Sequence, residues 1–334
     1  MNKTFASILF ALTLASAPTI EASADDKVSL LLGWVAQAES GGFYDAVVKG
    51  FYKKHGLDVT IRPGGPSLNT EQLLAAGAVD FIVGASSFDV LNFAQSGVPS
   101  IAVAGIFQKD PIVLIAHPDT GIKTMADMKG KPIAISSSSH TSFWPFLERK
   151  FGFSAAQIRP YNYQIEPFLV DKTLIMQAYV TSEPYMIETQ GGFKPKIFLL
   201  ADVAGYNSYA TILETTTAMV RDKPGVVQRL VDASIEGWYS YLYGDPAAAN
   251  VLIKKDNPDM TDGQIAYSYA KMKEYGIVDS GDAKRLGIGA MTDARWKSFY
   301  EATVATNLYP AGLDYKKGYT LQFVNKKHAM EAAK

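Results

Sequence analysis

Short apolar runs alternate with amphipathic helical runs along most of the chain. Residues 30–32 form the first apolar run, and residues 43–55 follow with apolar side chains every three or four positions, the period of a helix with one buried face. Gly56 comes next, where a left-handed residue commonly ends a helix, and residues 57–61 are predicted as a second strand. The same alternation predicts strands over 80–83, 101–107, 112–116, 132–136, a segment near 162, 174–180 and 196–200, and helices over 69–76, 88–95, a segment near 125, 141–151 and 184–190.

Repeated strand–helix units indicate mainly parallel sheets covered by helices on both faces. One series ends near residue 107 and a second runs from 112 to about 200, so an α/β protein with two such units is predicted. Beyond about residue 220 the pattern becomes mostly amphipathic helix. Helices are predicted there over 225–243, 246–254, 262–275 and 293–307.

The first 24 residues have the pattern of a secretory signal peptide. Lys3 precedes an apolar run over 5–14, and Ala22-Ser23-Ala24 supplies an A-x-A cleavage site. The run is too short to span a bilayer, so a soluble exported protein that begins near Asp25 is predicted. The chain has no Cys, which excludes disulfides and a lipid-anchored N-terminal Cys. A free exported protein is best retained in a Gram-negative periplasm, which is the predicted location.

Composition and motifs disfavour several classes of function. Lys and Arg number 32 against 33 Asp and Glu, so nucleic acid, which requires a concentrated basic surface, is not a predicted partner. The four His show no H-x-x-x-H or H-E-x-x-H spacing, and no metal site is predicted. Phosphate-loop and dinucleotide fingerprints are also missing, so no cofactor and no enzymatic activity are predicted.

Five loops of unusual composition fall at the carboxyl ends of predicted strands. They are 34–43, 64–67, 84–87, 136–141 and 181–185, and each carries small hydroxylated residues or an aromatic residue beside an acid. In open α/β sheets this edge is where ligands bind, because helix N-termini direct unpaired amides there. Taken singly, the serines are also typical helix N-caps, Trp34 a packing residue and Glu183 a solvated charge at a helix N-terminus. Their convergence on one edge favours a ligand cleft.

Several segments together resemble a known family. They are "LLGW…GGFYDAVVKGFYKKHGLDVTI", "NTEQLLAAGAVDFIVGASSFDVLNFAQSGVP", "MADMKGKPIAI" and "TSEPYMIE". The chain from about 28 to 307 is similar to the periplasmic substrate-binding proteins of ABC importers in the NMT1/THI5-like group, which includes binders of thiamine pyrimidine precursors, riboflavin, sulfonates and nitrate. A fungal member makes the thiamine pyrimidine with a Cys-rich motif, which this chain lacks.

The resemblance implies a two-domain, type II periplasmic-binding-protein fold that closes on its ligand by hinge motion. The expected divisions are a signal peptide over 1–24, domain I over 25–107 plus 210–334, and domain II over 108–209. Residues 108–111 and 205–210 are the expected hinges. The closed form is expected to dock on the transmembrane subunits of a permease.

The composition of the five loops indicates the kind of ligand. They contain no Arg, the side chain that best binds anions in a bidentate manner, and Glu39 and Glu183 would repel an anion but accept N–H groups. Trp34, Phe43, Tyr163 and Tyr185 offer flat stacking surfaces, so a planar nitrogen heterocycle such as a thiamine-type aminopyrimidine is predicted. Phe143 and Trp144 would serve equally, although each of these aromatics would also pack a core. The predicted ligand-binding residues are Trp34, Glu39, Ser40, Phe43, Ser67, Ser86, Ser87, Ser138, Ser139, His140, Tyr163, Glu183 and Tyr185.

Other functions stay open at this point. Within the family, the ligand is alternatively a sulfonate or nitrate, riboflavin, or a small aromatic acid. A periplasmic hydrolase that uses Ser139 or His140 is the alternative of another class, although the chain has no G-x-S-x-G motif. A sensor subunit that presents its ligand to a receptor kinase is a third possibility.

Overall fold

A computed structural model describes residues 25–66 and 68–333. The predicted signal peptide over 1–24 and the predicted ligand contact Ser67 lie outside the described residues. Within them, no helix combines the length and the apolar composition that a membrane span requires.

The strands of this part of the chain form two sheets, with orders β2-β1-β3-β10-β4 and β7-β6-β8-β5-β9. Strands of the first sheet lie within 26–107 and 210–216, and strands of the second within 112–199. The bounds are β1 Asp26–Leu32, β2 Leu57–Arg62, β3 Phe81–Ser86, β4 Ser100–Phe107, β5 Ile112–Ala116, β6 Ile133–Ile135, β7 Ile158–Pro160, β8 Ile175–Tyr179, β9 Lys196–Leu199 and β10 Ala210–Thr216.

Both sheets are mainly parallel, and each holds one antiparallel strand. β10 runs against β3 and β4 in the first sheet, and β5 runs against β8 and β9 in the second. Each of these strands is the first one after the chain crosses from one sheet to the other. The predicted α/β class, with mainly parallel sheets flanked by helices, is confirmed.

Helices follow most strands, and the C-terminal part of the chain is largely helical, as the sequence predicts. Their bounds are α1 Gly41–Val48, α2 Phe51–Lys54, α3 Thr70–Ala75, α4 Ser87–Ser96, α5 Phe143–Phe151, α6 Glu166–Val170, α7 Glu183–Gly191, α8 Leu200–Val203, α9 Thr217–Asp222, α10 Pro224–Tyr243, α11 Ala247–Asp256, α12 Asp262–Glu274, α13 Ala283–Leu286 and α14 Asp293–Ala305. Short 3-10 turns lie at Ala38–Ser40, Met125–Met128, Ser137–Thr141, Ala155–Gln157, Tyr315–Gly318 and Met330–Ala333.

One prediction of secondary structure in this region needs correction. The single helix predicted over 43–55 is two helices, α1 and α2, because Gly50 between them is left-handed with φ of 73°. Gly56, also left-handed, ends α2 as predicted. The chain after α14 contains only short 3-10 turns, and a parallel bridge from Tyr319 to Ala102 joins this segment to the first sheet.

The main core cluster includes buried residues of both sheets, and within it α1 and α10 pack against each other. Gly42 allows this contact, because a Cβ at this position would come within 2.2 Å of the Trp238 ring. Phe43 is fully buried and meets Trp238 edge-on, with ring centroids 5.8 Å apart. The start of α1, which follows β1 and a short 3-10 turn, is therefore fixed against α10.

Candidate ligand-binding site

A cavity of about 330 Å³ lies between the two sheets, within the usual range for small-molecule sites. The loops that follow β1, β2, β3, β6 and β8 all contribute to its wall, so the carboxyl ends of the parallel strands meet there. These are the loops that the sequence singles out. Among the predicted site residues, the wall includes Trp34, Glu39, Ser40, Ser86, Ser138, Ser139, Tyr163 and Glu183.

One wall of the cavity is aromatic and joins the two halves of the molecule. Trp34 follows β1 and Tyr163 follows β7, and their ring centroids are 4.3 Å apart at an interplanar angle of 52°. Tyr161 lies beside Tyr163 at 5.2 Å. Tyr163 has φ of 62°, a left-handed conformation that is costly for a bulky residue. This cost indicates that packing holds the Tyr163 ring at the cavity wall.

Glu39 lies in the turn between β1 and α1 and is 7% exposed. Thr181, which follows β8, donates a hydrogen bond of 2.5 Å from Oγ1 to Glu39 Oε1 across the cleft. Glu39 Oε2 is buried without a hydrogen-bond partner in the described structure. Burial raises the pKa of Glu39 from 4.5 to about 7, opposed by the Thr181 hydrogen bond and supported by the charge of Glu183. An unsatisfied acceptor of this kind favours a ligand that donates a hydrogen bond.

Glu183, the first residue of α7, has partners on both carboxylate oxygens. Tyr161 donates to Oε1 at 3.0 Å and the backbone N–H of Tyr179 donates to Oε2 at 2.8 Å. Burial raises the pKa of Glu183, and these hydrogen bonds oppose that rise. Glu183 thus fixes Tyr161 and the end of β8 as well as lining the cavity.

The serine-rich turn after β6 is held in place by Gln177, which lies in the middle of β8. Gln177 Oε1 accepts from the backbone N–H of Ser136 at 3.0 Å and from Ser139 Oγ at 2.6 Å. Ser139 Oγ also lies 2.8 Å from Ser136 Oγ. Sequence reasoning did not select Gln177, although one amide in a buried apolar strand is a recognisable exception.

Asp89 is another cavity residue that sequence reasoning missed. It lies in the first turn of α4 and forms a capping box with Ser86, accepting a 3.0 Å hydrogen bond from the Ser86 backbone N–H. Burial raises the pKa of Asp89 from 3.8 to about 7. The Ser-x-x-Asp spacing at the end of a strand is the sequence feature that identifies it.

The charge of the wall has one sign. The described residues that line the cavity include four acids and no Lys, Arg or His. The acids are Glu39, Glu71, Asp89 and Glu183.

Four of the predicted ligand contacts do not line the cavity. Phe43 is in the core, and Ser87 is buried and exchanges hydrogen bonds with the backbone of Tyr209. His140 is exposed. Tyr185 packs against Tyr267 of α12, with ring centroids 5.4 Å apart at an interplanar angle of 43°. Since each lies one to a few residues from a lining residue, the sequence located the loops but not the directions of these side chains.

The two glycines before Phe43 serve helix packing and do not contribute to the cavity wall. Gly41 and Gly42 are buried, and a Cβ on either would come within 2.2 Å of an α10 ring, Tyr241 or Trp238 respectively. Neither glycine lines the cavity. They serve the packing of α1 on α10.

Arg295 of α14 binds both chain segments that cross between the sheets. Its Nη2 donates to the backbone carbonyls of Gln108 at 2.6 Å and Ser208 at 2.7 Å. Its guanidinium lies 3.9 Å from the centre of the Tyr209 ring. Desolvation lowers the pKa of Arg295. One buried cation therefore fixes the spacing of the two crossing segments.

Comparisons with known proteins identify the family. The NMT1/THI5-like family model matches residues 37–249. The chain is 24% identical over 324 residues to a riboflavin-binding protein, RibY, from Chloroflexus aurantiacus, covering 93% of this chain and 90% of that protein. It is 29% identical over 123 residues to a putative thiamine biosynthesis protein from Haemophilus influenzae, covering 36% of this chain and 38% of that protein.

Solved structures share the fold at low sequence identity. The periplasmic aliphatic sulphonate binding protein SsuA from Escherichia coli superposes with a TM-score of 0.62 at 15% identity, covering 87% of this chain and 91% of that chain. The desulfurization enzyme DSZB superposes with a TM-score of 0.54 at 13% identity, covering 92% of this chain and 100% of that chain. A binding protein and an enzyme therefore both share this fold, so the fold by itself does not indicate which function the chain has. Because the NMT1/THI5-like family model matches residues 37–249, which is more than half of this chain, the chain belongs to the NMT1/THI5-like family. It has the fold of the type II periplasmic binding proteins.

Proposed function

We propose that this protein is the periplasmic solute-binding component of an ABC importer and that it captures a small planar nitrogen heterocycle, such as a thiamine-type aminopyrimidine. The observation that carries the proposal is the wall of the cavity, where acids and aromatic rings occur without a cationic side chain among the described residues. Amino groups and protonated ring nitrogens fit such a wall, because carboxylates accept their N–H groups. A flat ring fits the aromatic side formed by Trp34 and Tyr163.

The same wall argues against a strongly anionic ligand. A sulfonate or nitrate would lie near Glu39 and Glu183 without an Arg or Lys in the described wall to compensate, and like charges in a partly buried site repel. Helix N-termini and serine hydroxyls would offset only part of this. The likeness to SsuA concerns the fold and does not transfer its ligand.

The names of two relatives support the same ligand class. RibY is named for riboflavin and the partial match from Haemophilus influenzae for thiamine biosynthesis, and both vitamins contain flat nitrogen heterocycles. Riboflavin itself is the alternative ligand within this class, and a small aromatic acid is disfavoured for the same reason as a sulfonate.

The proposed mechanism is capture without chemistry. Domain I, over 25–107 and 210–334, and domain II, over 108–209, move about the segments 108–111 and 205–210 and close on the ligand. The side chains proposed to contact it are those of the cavity wall, with Glu39 Oε2 as the acceptor for a ligand N–H. The closed form then docks on the permease. Closure is selective because it buries the ligand's polar groups, which must find partners.

The hydrolase alternative gains no support from the geometry. Ser139 Oγ is engaged with Ser136 and Gln177, and His140 is exposed and outside the wall. A hydrolase requires its nucleophile and base in contact. Binding is therefore favoured over turnover.

Thermal-shift and calorimetric titrations of the purified mature protein test the proposal. The panel is a 4-amino-5-hydroxymethylpyrimidine, riboflavin, an alkanesulfonate, nitrate and a small aromatic acid. A true ligand raises the melting temperature in proportion to the logarithm of its concentration over its Kd, and the aminopyrimidine is expected to do so. A shift caused only by the sulfonate or nitrate would refute the heterocycle.

A further inference from the structure

Two of the chain's four histidines form hydrogen bonds with a single carboxylate near the amino end of β2, away from the cavity. His55 follows α2 and lies just before β2, Glu236 lies on α10, and His328 lies in the segment after α14. The carboxyl end of β2 leads to the cavity wall, so its amino end, near His55, lies at the far edge. The cluster is therefore separate from the proposed ligand site.

The three side chains converge on one point. His55 Nε2 is 2.8 Å and His328 Nε2 is 2.9 Å from the same oxygen, Glu236 Oε1. The three ligand atoms all lie within 4.8 Å of one another. The two imidazole rings are steeply inclined, at 71°, so their nitrogens approach the carboxylate from different directions.

We propose that His55, Glu236 and His328 form a binding site for a divalent transition-metal ion of the zinc class. Two imidazoles and one carboxylate are an established zinc ligand set that leaves a fourth position for water. Tetrahedral bonds of about 2.0–2.1 Å place neighbouring ligand atoms about 3.3 Å apart, so each nitrogen–oxygen distance would widen by about half an ångström.

The exposure of the three side chains leaves room for the fourth ligand. Glu236 is 11% exposed, His55 19% and His328 31%. The carboxylate is thus fixed beneath the two rings, and the open side faces water. Metal binding would replace the hydrogen bonds that now join each Nε2 to Oε1 and would leave both rings protonated on Nδ1.

The backbone around His328 is held in an unusual conformation. Asn325, Lys327 and Ala329 all have left-handed φ values, of 67°, 56° and 54°. Such conformations cost about 1 kcal/mol or more each outside glycine. Contacts must hold this segment in place, and one of them is the hydrogen bond from Lys327 N–H to the Leu286 carbonyl. A metal ion would add a cross-link from the segment to α10 and to the end of α2.

One nearby charge opposes a cation. Lys54 Nζ lies 3.4 Å from Glu236 Oε2, but its side chain is 69% exposed. It can therefore swing into solvent when the metal binds. This gives the site a variant that should bind metal more tightly than the natural protein.

Titration of zinc chloride into chelator-treated mature protein tests the site. Calorimetry is expected to show saturable binding of one ion per chain. His55→Ala, His328→Ala and Glu236→Gln are each expected to weaken it by about tenfold or more, and Lys54→Gln to tighten it by roughly threefold or more. Cobalt(II) is expected to give the visible absorption of a four-coordinate site in the natural protein and to lose it in either histidine variant.

The controls separate this site from adventitious binding and from misfolding. His140→Ala removes an exposed imidazole elsewhere and should leave the zinc titration unchanged. Circular dichroism should show that the conservative variants His55→Gln and His328→Gln are folded. Both should lose zinc binding, while their affinity for the aminopyrimidine stays that of the natural protein. Unsaturable heats, or equal zinc affinity in the natural protein and both histidine variants, would overturn the proposal without affecting the proposed function.

Discussion

Replacement of Glu39 by Gln tests both the buried carboxyl and its proposed role in binding. Gln keeps an oxygen that can accept from Thr181, so the hydrogen bond across the cleft is retained. It removes the charge and replaces the buried oxygen that has no partner in the described structure with an amide NH2 group. At neutral and alkaline pH, the variant should therefore be more stable than the natural protein but bind the ligand more weakly.

The effect on stability follows from the pKa of Glu39, which burial raises from 4.5 to about 7. Between these values the folded protein holds a proton that the unfolded chain has lost, so the free energy of unfolding falls as pH rises. The stabilising contribution is complete below pH 4.5 and is lost as pH passes about 7. Each tenfold change in proton affinity is worth about 1.4 kcal/mol, which makes the total about 3 kcal/mol. The stability advantage of Glu39→Gln over the natural protein should therefore grow by about 2–3 kcal/mol between pH 5 and pH 8.

Glu214 supplies the matched control, because it is buried but does not line the cavity. Ser100 donates to its Oε2 at 2.6 Å, its Oε1 has no partner in the described structure, and burial raises its pKa from 4.5 to about 8. Glu214→Gln should therefore also be more stable than the natural protein at alkaline pH. Unlike Glu39→Gln, it should leave ligand affinity unchanged.

The assay is chemical unfolding of the two variants and the natural protein from pH 5 to 8.5, paired with calorimetry of the aminopyrimidine at pH 7. Loss of a charge-assisted hydrogen bond is worth about 1.5–3 kcal/mol, so Glu39→Gln should bind at least tenfold more weakly. A stability difference that does not vary with pH would refute the raised pKa. Equal losses of affinity in both variants would refute direct contact between Glu39 and the ligand.

Further substitutions probe the aromatic wall, the crossing segments and the packing of α1. Trp34→Ala should weaken heterocycle binding by about 1 kcal/mol or more in calorimetry, and unchanged affinity would remove the ring from the contact. Arg295→Ala, which leaves two crossing-segment carbonyls without their cation, should lower the free energy of unfolding by about 2–4 kcal/mol in urea titrations. Gly42→Ala, whose Cβ would collide with Trp238, should lower the free energy of unfolding by about 1–3 kcal/mol or more. Gly65→Ala has open space around it and should change the free energy of unfolding by under about 0.5 kcal/mol. Similar losses of stability in both glycine variants would contradict this account of the packing.

The sequence predicted the fold well because its elements differ sharply in hydrophobic period. Strand β5 has the predicted bounds, β2 is one residue longer than predicted, and β1 begins four residues earlier than predicted. The error at Gly50 arose because the apolar period continues through it, although its left-handed backbone breaks the helix. The sequence pattern also does not reveal that β10 pairs between β3 and β4. Pairing between strands so far apart in the chain depends on tertiary contacts.

The site was predicted at the level of loops rather than side chains. Parallel strands place their carboxyl ends together, so five loops could be assigned to one edge from the order of elements alone. Whether Phe43 faces that edge depends on the rotation of α1, which Gly42 and Trp238 fix by packing. Gln177 was missed because its role, holding the turn after β6, exists only once the two strands are neighbours.

Under the proposed mechanism, the arrangement around Glu39 would link closure to selectivity. Thr181 reaches Glu39 Oε1 from the other half of the molecule, so this hydrogen bond exists only when the halves are together. The remaining oxygen, Oε2, is then buried without a partner in the described structure, and the closed state stays penalised until a ligand donor satisfies it. A donor-bearing heterocycle removes that penalty. Under the proposed mechanism an anion would meet repulsion from Glu183 and from the ionised form of Glu39, so the carboxylate that joins the two halves would also discriminate against anions.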